Sequence, residues 1–545
     1  MELNLADLFE SLADAIPERL AAVCGDVRLS YRALDERANR LANALAARGL
    51  GAGDHVGLYL YNCAEFLEAV LAAFKIRAVP INVNYRYVED ELSFLLKNAD
   101  CKAVLYSAEL GPRVAAVRAG VPTLRLTVSV GGHDPSADSL EYEQLLASGS
   151  PERRFGPRSG DDLYIIYTGG TTGMPRGVMW RHEDVFYAGL QGGNPGGEPL
   201  ASAAELAPAV LAREGPMIIF AAAPFIHGAA QWAAWIGLFT GGTVVIAPGK
   251  SYDARVTCQL VEAEKVNTII LVGDAMARPL ADALSRWGRE RPQTPGSSGA
   301  LEGEAAHDVP DMSSLMVIAS SGAVLSDTVK AQLQERLPST MILNNFGATE
   351  TGHQGTSFSS GRPTFYMDES NTVLGDDLRP LKPGSGAMGK LARRGRLPVG
   401  YYNDPEKTAQ TFLTLDGQRW VVPGDFATVE DDGQITVFGR GAACINSGGE
   451  KIFVEEVESV LKAHPAIEDA VVVGVPDERW GQRVAAVVSL RPGAEVTLAL
   501  VDAHCRAHLA GYKVPRQLHV VTALVRQPSG KPDYRWAREV AVASL

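Results

Sequence analysis

A chain of 545 residues is too long for one hydrophobic core, so at least two domains are expected. Its 46% hydrophobic and 21% charged residues are the proportions of an ordinary soluble globular protein. The net charge is −13, and Lys and Arg are scattered; this excludes nucleic acid as the expected partner, because that binding rests on basic patches.

Six cysteines (Cys24, Cys63, Cys101, Cys258, Cys444, Cys505) lie far apart with no CxxC pair. Neither a structural zinc nor a disulfide framework is expected, and a reducing, cytoplasmic compartment fits. The N-terminal residues carry acids early and no apolar run, unlike a secretory signal. Residues 216–249 contain no Asp, Glu, Lys or Arg, which raises the question of a membrane span. Pro224, His227, Gln231 and the Gly241-Gly242 pair interrupt the run. The reading is a buried helix, a turn and a buried strand, with no transmembrane segment; peripheral contact with a membrane is left open.

In chain order, residues 31–49 are an amphipathic helix, with Leu34, Ala38, Leu41 and Leu45 at helical spacing and Gly49 as its stop. Strand-like runs at 55–61, 79–83 and 102–106 then alternate with helical ones through Phe66, Val70 and Phe74 and at 88–97. That rhythm predicts a parallel, doubly wound α/β sheet. Residues 131–162 are polar. Further buried strands are expected at 243–247, 268–272 and 315–319. Residues 191–215 and 289–311 read as surface insertions. Past Gly439 and Arg440 the texture changes: helices at 452–463 and 498–510 and strands at 470–475 and 484–488 make a small α+β unit with its own core. His504 and His508, four residues apart, share a helix face with no evident third ligand.

The stretch that carries chemistry begins at residue 164. A short β-branched and aromatic strand, 164–168, runs into Thr168, Gly169, Gly170, Thr171, Thr172 and Gly173, with Pro175, Arg176 and Gly177 behind. Glycines let backbone N–H groups approach phosphate oxygens, threonine hydroxyls donate to them, and Arg176 adds a fixed charge. No Lys-Ser/Thr pair follows the last glycine, so this is not a Walker loop.

TGGTTGMPRG resembles the signature loop of the adenylate-forming enzymes: acyl-CoA synthetases, adenylation domains of peptide synthetases, and luciferases. Further segments resemble that superfamily in its own order. PFIHG (224–228) would set His227 beside an acyl pocket, with the following helix, 229–239, and its Trp232 and Trp235 as the pocket wall. SSGAV (320–324) would turn Gly322 and Ala323 toward the nucleotide. In NNFGATETG (344–352), Asn345, Phe346 and Gly347 would line the adenine, Thr349 would donate to a phosphate, and Glu350, with Thr172, would hold Mg²⁺. Asp425 would accept both ribose hydroxyls, with Arg440 assisting from a hinge. In VRQPSGKPDY (525–534), Lys531 matches the catalytic lysine.

The resemblance implies a large N-terminal domain of layered sheets and helices, residues 1–439, binding ATP and the acyl group. A small mobile α+β C-terminal domain, residues 440–545, would carry Lys531. The reaction implied is attack of a carboxylate on the α-phosphate of Mg·ATP to give acyl-AMP and pyrophosphate, then displacement of AMP by coenzyme A. The loop variant and CINSGGEKI (444–452) look like those of a subgroup that includes ligases for fatty acids and sterol side-chain acids, so a medium- or long-chain or bulky alicyclic acid is expected. Two departures stand out: Arg176 replaces the usual Lys, and Gly441, Ala442 and Ala443 follow Arg440 where Asp or Lys is common. Delivery to a separate carrier-protein thiol, or a nucleotide sensor without catalysis, are the alternatives. A homodimer is compatible with the sequence.

Overall fold

Alternation of short apolar strands with amphipathic helices leaves a parallel sheet as the economical solution, and the chain builds two of them. The computed structural model describes residues 3–168, 175–286, 310–323, 325–357, 364–440, 444–447, 450–477, 481–509, 511–526 and 531–543. In the first sheet the spatial order is Gly400–Tyr401, Arg176–Arg181, Leu163–Thr168, Val79–Asn82, His55–Tyr59, Cys101–Ser107, Leu126–Val130 and Leu140–Glu141. From Leu163–Thr168 onward these pairs are parallel, whereas Arg176–Arg181 and Gly400–Tyr401 are antiparallel additions.

The second sheet has a parallel run of Leu20–Cys24, Thr243–Ile246, Ile218–Ala221, Thr268–Leu271, Val317–Ser320 and Met341–Ala348. It continues antiparallel through Gly352–Ser357 and Thr364–Met367 into Ile435–Arg440 and Asp425–Val429. Helices Ala64–Lys75 and Gly228–Phe239 lie between the sheets. Phe74 meets Tyr164 of the first sheet edge-on at 5.4 Å and Trp235 at 6.0 Å. Gly237 faces the second sheet so closely that a Cβ there would stand 2.4 Å from Ile219. A single apolar cluster joins both sheets to these helices, and a second fills the other face of the first sheet under Glu89–Asn98 and Gly111–Arg118.

The expected helices and strands of the first 110 residues are present within a few residues of their predicted bounds. Ser30 caps Tyr31–Ala46 by accepting from Ala33 N–H, and Gly49 follows with φ +80°. Elsewhere three readings need correction. The charge-free stretch holds a strand, Ile218–Ala221, that the sequence reading left out; it is buried on both faces and so carries no period-2 signal. The 191–215 segment is not all surface, because Ala203, Leu206 and Val210 join the main core. Within 131–162, Tyr142–Ala147 is helical. The 289–311 insertion lies almost entirely outside the described residues, of which only 310 and 311 are described.

The small unit pairs Glu450–Phe453, Cys444–Ser447, Gly481–Leu490 and Ile467–Asp477 in order, with Gln517–Val521 parallel to Gly481–Leu490. Val454–Lys462, Leu498–Arg506 and Tyr534–Val542 pack on it over a core separate from that of the large unit. Among the described residues no helix is long and apolar enough to cross a membrane, and five cysteines are free thiols.

The large unit's first three helices are tied by a buried charge. Lys75, fully buried, donates to Glu10 at 2.6 Å and Asp35 at 2.7 Å. Arg158 also holds Glu10 at 2.8 Å and Arg153 holds Asp35 at 3.0 Å, so Lys75→Met weakens the network without stranding a carboxylate and should cost about 2 kcal/mol in urea unfolding. A loss above about 4 kcal/mol would mean that the two arginines do not compensate the carboxylates once the ammonium is gone.

Candidate functional site

The signature segment is a hairpin. Leu163–Thr168 pairs antiparallel with Arg176–Arg181, and Thr168 stands opposite Arg176. The glycine-rich loop therefore leaves one strand and returns on its neighbour, where a Walker loop would lead into a helix. Gly169, Gly170, Thr171, Thr172 and Gly173 lie outside the described residues. Gly177 is required behind the loop, because a Cβ there would stand 2.6 Å from the Tyr167 ring. Arg176 donates through Nε to Asp404 at 2.9 Å, so its guanidinium is anchored while part of it stays exposed.

Next to this hairpin runs 222–227, an irregular segment between a strand and a helix. Such backbone, partly buried, must find side-chain partners. Three amide side chains supply them. Asn62 accepts from Phe225 N–H at 2.8 Å and donates to Ala223 O at 3.2 Å. Gln231 donates to Phe225 O at 2.6 Å and accepts from the Tyr164 hydroxyl. Asn82, 5% exposed, donates to Ile226 O at 2.6 Å and to Tyr167 O at 2.9 Å, and accepts from Tyr167 N–H at 2.7 Å. One side chain thus fastens the root of the glycine loop to the residue before His227. A cavity of about 30 Å³ opens beside Asn82, walled by Tyr87, Leu95, Tyr167, Ile226 and His227.

The FGATE segment closes on the same place. A Cβ placed on Gly228 would meet Ile166 at 3.5 Å and Thr349 Oγ1 at 3.6 Å, so the signature strand, the His227 segment and Thr349 converge within contact distance. Trp180 Nε1 donates to Thr349 O at 2.8 Å, and Arg393 donates to Thr351 O at 2.7 Å. Glu350 is 7% exposed and accepts from the Tyr401 hydroxyl at 3.0 Å. Asn345 accepts from Thr356 Oγ1 at 2.9 Å. Gly347 has no room for a side chain: a Cβ would lie 2.2 Å from Gly352 O. Phe346 packs at 5.3 Å on Phe365, which occupies part of its ring. Just past this segment the half-buried His353 is pushed down to about 4, first by desolvation and then by the Arg393 charge, so it is neutral at pH 7.

Gly322 has φ +79° and open space where a Cβ would be, and Ala323 packs partly on the main core. Ser320, before them, accepts from Gly273 N–H at 3.0 Å. Asp425, 7% exposed, is the direct cross-strand partner of Arg440. The expected Asp431-Asp432-Gly433 turn joins their strands, with Gly433 at φ +83°. Lys531 is partly buried, and its segment is clasped at the base by the Arg526–Pro532 bridge. Gly441, Ala442 and Ala443 lie outside the described residues.

Two sequence expectations change. Trp235 is a core residue at 1% exposure between Phe74 and Phe239, so it does not wall a pocket; Trp232 lies under Gly189 and edge-on to Trp180. His504 and His508 do gain a third ring, His464, at 5.0 Å from His504, but Val460 O takes His504 Nε2 at 2.8 Å. Among the described residues no three metal-binding side chains gather. The residues that sequence reasoning passed over, Asn62, Asn82, Gln231, Tyr401 and Asp404, are polar side chains whose partners are far along the chain. Only the buried strand context of Asn82, between Ile81 and Val83, marked it as out of place.

Comparison with known proteins identifies the family. The family model for AMP-binding enzymes matches residues 9–396, and that for the AMP-binding enzyme C-terminal domain matches residues 456–531. The medium/long-chain-fatty-acid–CoA/3-oxocholest-4-en-26-oate–CoA ligase of Mycolicibacterium smegmatis is 46% identical over 99% of this chain and 97% of that protein. The 3-oxocholest-4-en-26-oate–CoA ligase of Rhodococcus rhodochrous is 45% identical over 99% of this chain and 96% of that protein. The fold is also that of the anthranilate CoA ligase AuaEII in complex with anthranoyl-AMP, at a TM-score of 0.82 and 23% identity over 99% of this chain and 98% of that one. Large and small units alike, this chain belongs to the AMP-binding enzymes, the adenylate-forming superfamily.

Proposed function

We propose that this protein is an AMP-forming acyl-CoA ligase. It activates a hydrophobic carboxylic acid, a medium- or long-chain fatty acid or a bulky steroid side-chain acid, through acyl-AMP to the CoA thioester. The observation that carries this is the convergence of Ile166, Gly228 and Thr349, which gathers the signature hairpin, the His227 segment and FGATE at one point. Full-length relatives at 45–46% identity that are named for such acids support the substrate class.

The first half-reaction brings a carboxylate anion up to a polyphosphate. Two unit charges at ~4 Å repel by ~1 kcal/mol in water and ~4 kcal/mol in a protein-like dielectric. Thr172, the loop N–H groups and Lys531 offset that repulsion by donating to the triphosphate. Glu350 is a suitable holder for Mg²⁺, a buried carboxylate oriented by Tyr401; with no other gathered ligands among the described residues, the remaining coordination would come from phosphate oxygens and water. When bound, that ion neutralises charge on the triphosphate. Asp425 receives the ribose hydroxyls, Arg440 assists from the opposite strand, and Gly322, Ala323, Asn345, Phe346 and Gly347 shape the adenine side. The second half-reaction requires a path for a thiol and no such cation. We place the boundary at residues 439–440, so that the small domain rotates there and withdraws Lys531 between steps.

Three outcomes check this. Across a panel of acids, pyrophosphate release should be fastest with medium- or long-chain or steroid side-chain acids; preference for acetate or an amino acid would refute the substrate class. Lys531→Ala should slow adenylation by ~10²–10³-fold yet leave thioester formation from supplied acyl-AMP and CoA largely intact. Equal losses in both would remove the case for two poses. Asn82→Ala, which leaves three buried backbone groups unpaired, should destabilise the protein by ~2–5 kcal/mol and lower adenylation kcat by more than ~tenfold. Wild-type turnover in that variant would show that the clamp is not what aligns the loop with His227.

A further inference from the structure

The small domain meets the large one through buried charges that the chemistry itself does not use. Lys462 ends the Val454–Lys462 helix, and its side chain is 6% exposed. Its ammonium stands 3.8 Å from Asp274 Oδ2, in the first turn of Gly273–Arg286 of the large domain. It also stands 3.5 Å from Asp469 Oδ1 in its own domain. Asp274, 4% exposed in its side chain, uses its other oxygen to accept from Ser326 N–H at 2.8 Å, and Arg278 lies 3.5 Å away.

Each end of this pair leads to a segment already placed in the reaction. Ser326 caps Asp327–Arg336 three residues past Ala323, on the nucleotide side. Asp469 pairs with Arg526, and Arg526 bridges Pro532 across the base of the segment that bears Lys531. An alternating chain of charges, Arg526, Asp469, Lys462 and Asp274, therefore links the catalytic-lysine segment to the nucleotide segment across the domain boundary. The approach is tight elsewhere along the same helix: Gly439 has φ +105°, and a Cβ on it would lie 2.5 Å from Glu455 Oε1.

A buried ion pair adds little net stability against an apolar replacement, but without the cross-domain contact Asp274 would keep only Arg278 and Lys462 only Asp469, so the pair discriminates between arrangements that make it and those that do not. Between two bodies that must separate and re-dock, that is a means of selecting a pose. We propose that Lys462 and Asp274 are positioning residues whose cross-domain pair holds the Lys531 segment in one of the two poses the half-reactions require. This rests on the two-pose reading above and names the contact that sets it.

The test separates the half-reactions. In Lys462→Met and in Asp274→Asn, the ratio of the adenylation rate to the rate of thioester formation from supplied acyl-AMP should change at least ~fivefold, in the same direction for both. The double variant should change no further than the singles, because both remove one interaction. Lys462→Arg keeps the charge and should return the ratio toward wild type. Rates that fall together, or effects that add, would overturn the proposal. A distance measurement between labels at Val256 and Leu500, both exposed and one in each domain, reads the pose without turnover. Its distribution should shift or broaden in Lys462→Met, and an unchanged distribution overturns the latch. A wild-type protein that releases no pyrophosphate with any hydrophobic acid would sink the functional reading alone, since the label distances still decide the latch.

Discussion

Partly buried backbone without regular structure has to be satisfied by side chains, and the active-site region of this protein depends on that requirement. The 222–227 segment cannot belong to either sheet, because it must carry the chain from a strand of the second sheet into a helix between the sheets. Its polar groups are met by Asn62, Asn82 and Gln231, which come from the ends of two central strands of the first sheet and from the helix itself. In a low-dielectric setting each such bond is costly to leave unmade. Asn82 is the most consequential of them, because its bonds to Tyr167 and Ile226 hold two segments of the candidate site in register.

Charge in the site follows the same economy. The substrates are anions, yet the carboxylates Glu350 and Asp425 sit buried among the candidate residues. Glu350 accepts from the neutral Tyr401 hydroxyl at 3.0 Å, which orients its carboxylate. Arg176, in contrast, is already committed to Asp404, a contact that steadies the return strand of the hairpin. That pairing gives a physical reason why Arg serves where Lys is usual: a guanidinium can bind a carboxylate through Nε and still present its other donors.

The small domain meets the large one through apolar and charged contacts together: Phe453 packs on Phe426 at 5.9 Å and on Phe438 at 5.2 Å, while Lys462 reaches Asp274 and Glu455 lies against Gly439. Burial, with the Glu458 and Asp425 charges nearby, pushes the Glu455 carboxyl up to about 8. A buried ion pair of this kind is specific in geometry and modest in net energy.

The sequence by itself determined the class of fold, the order of strands and helices over residues 31–110, the separate small unit and the family, because periodicity, glycine placement and contiguous motifs are local properties of the chain; it left Leu5–Ala15, Leu20–Cys24 and Val27–Ser30 unread. It also paired Asp425 with Arg440 in one segment, and the structure sets them across a single hairpin. It did not reveal the Ile218–Ala221 strand, since a strand buried on both faces has no alternation to read. Nor did it place Trp235, whose indole could serve a core or a pocket equally well until Phe74 and Phe239 closed on it. Which amide would answer which backbone carbonyl, and which lysine would find which aspartate across the domain boundary, were decided only by the tertiary structure. Those contacts join residues 144 positions apart in the case of Asn82 and Ile226, and still further apart in the case of Lys462 and Asp274, and no local pattern in a chain records a partner at that distance.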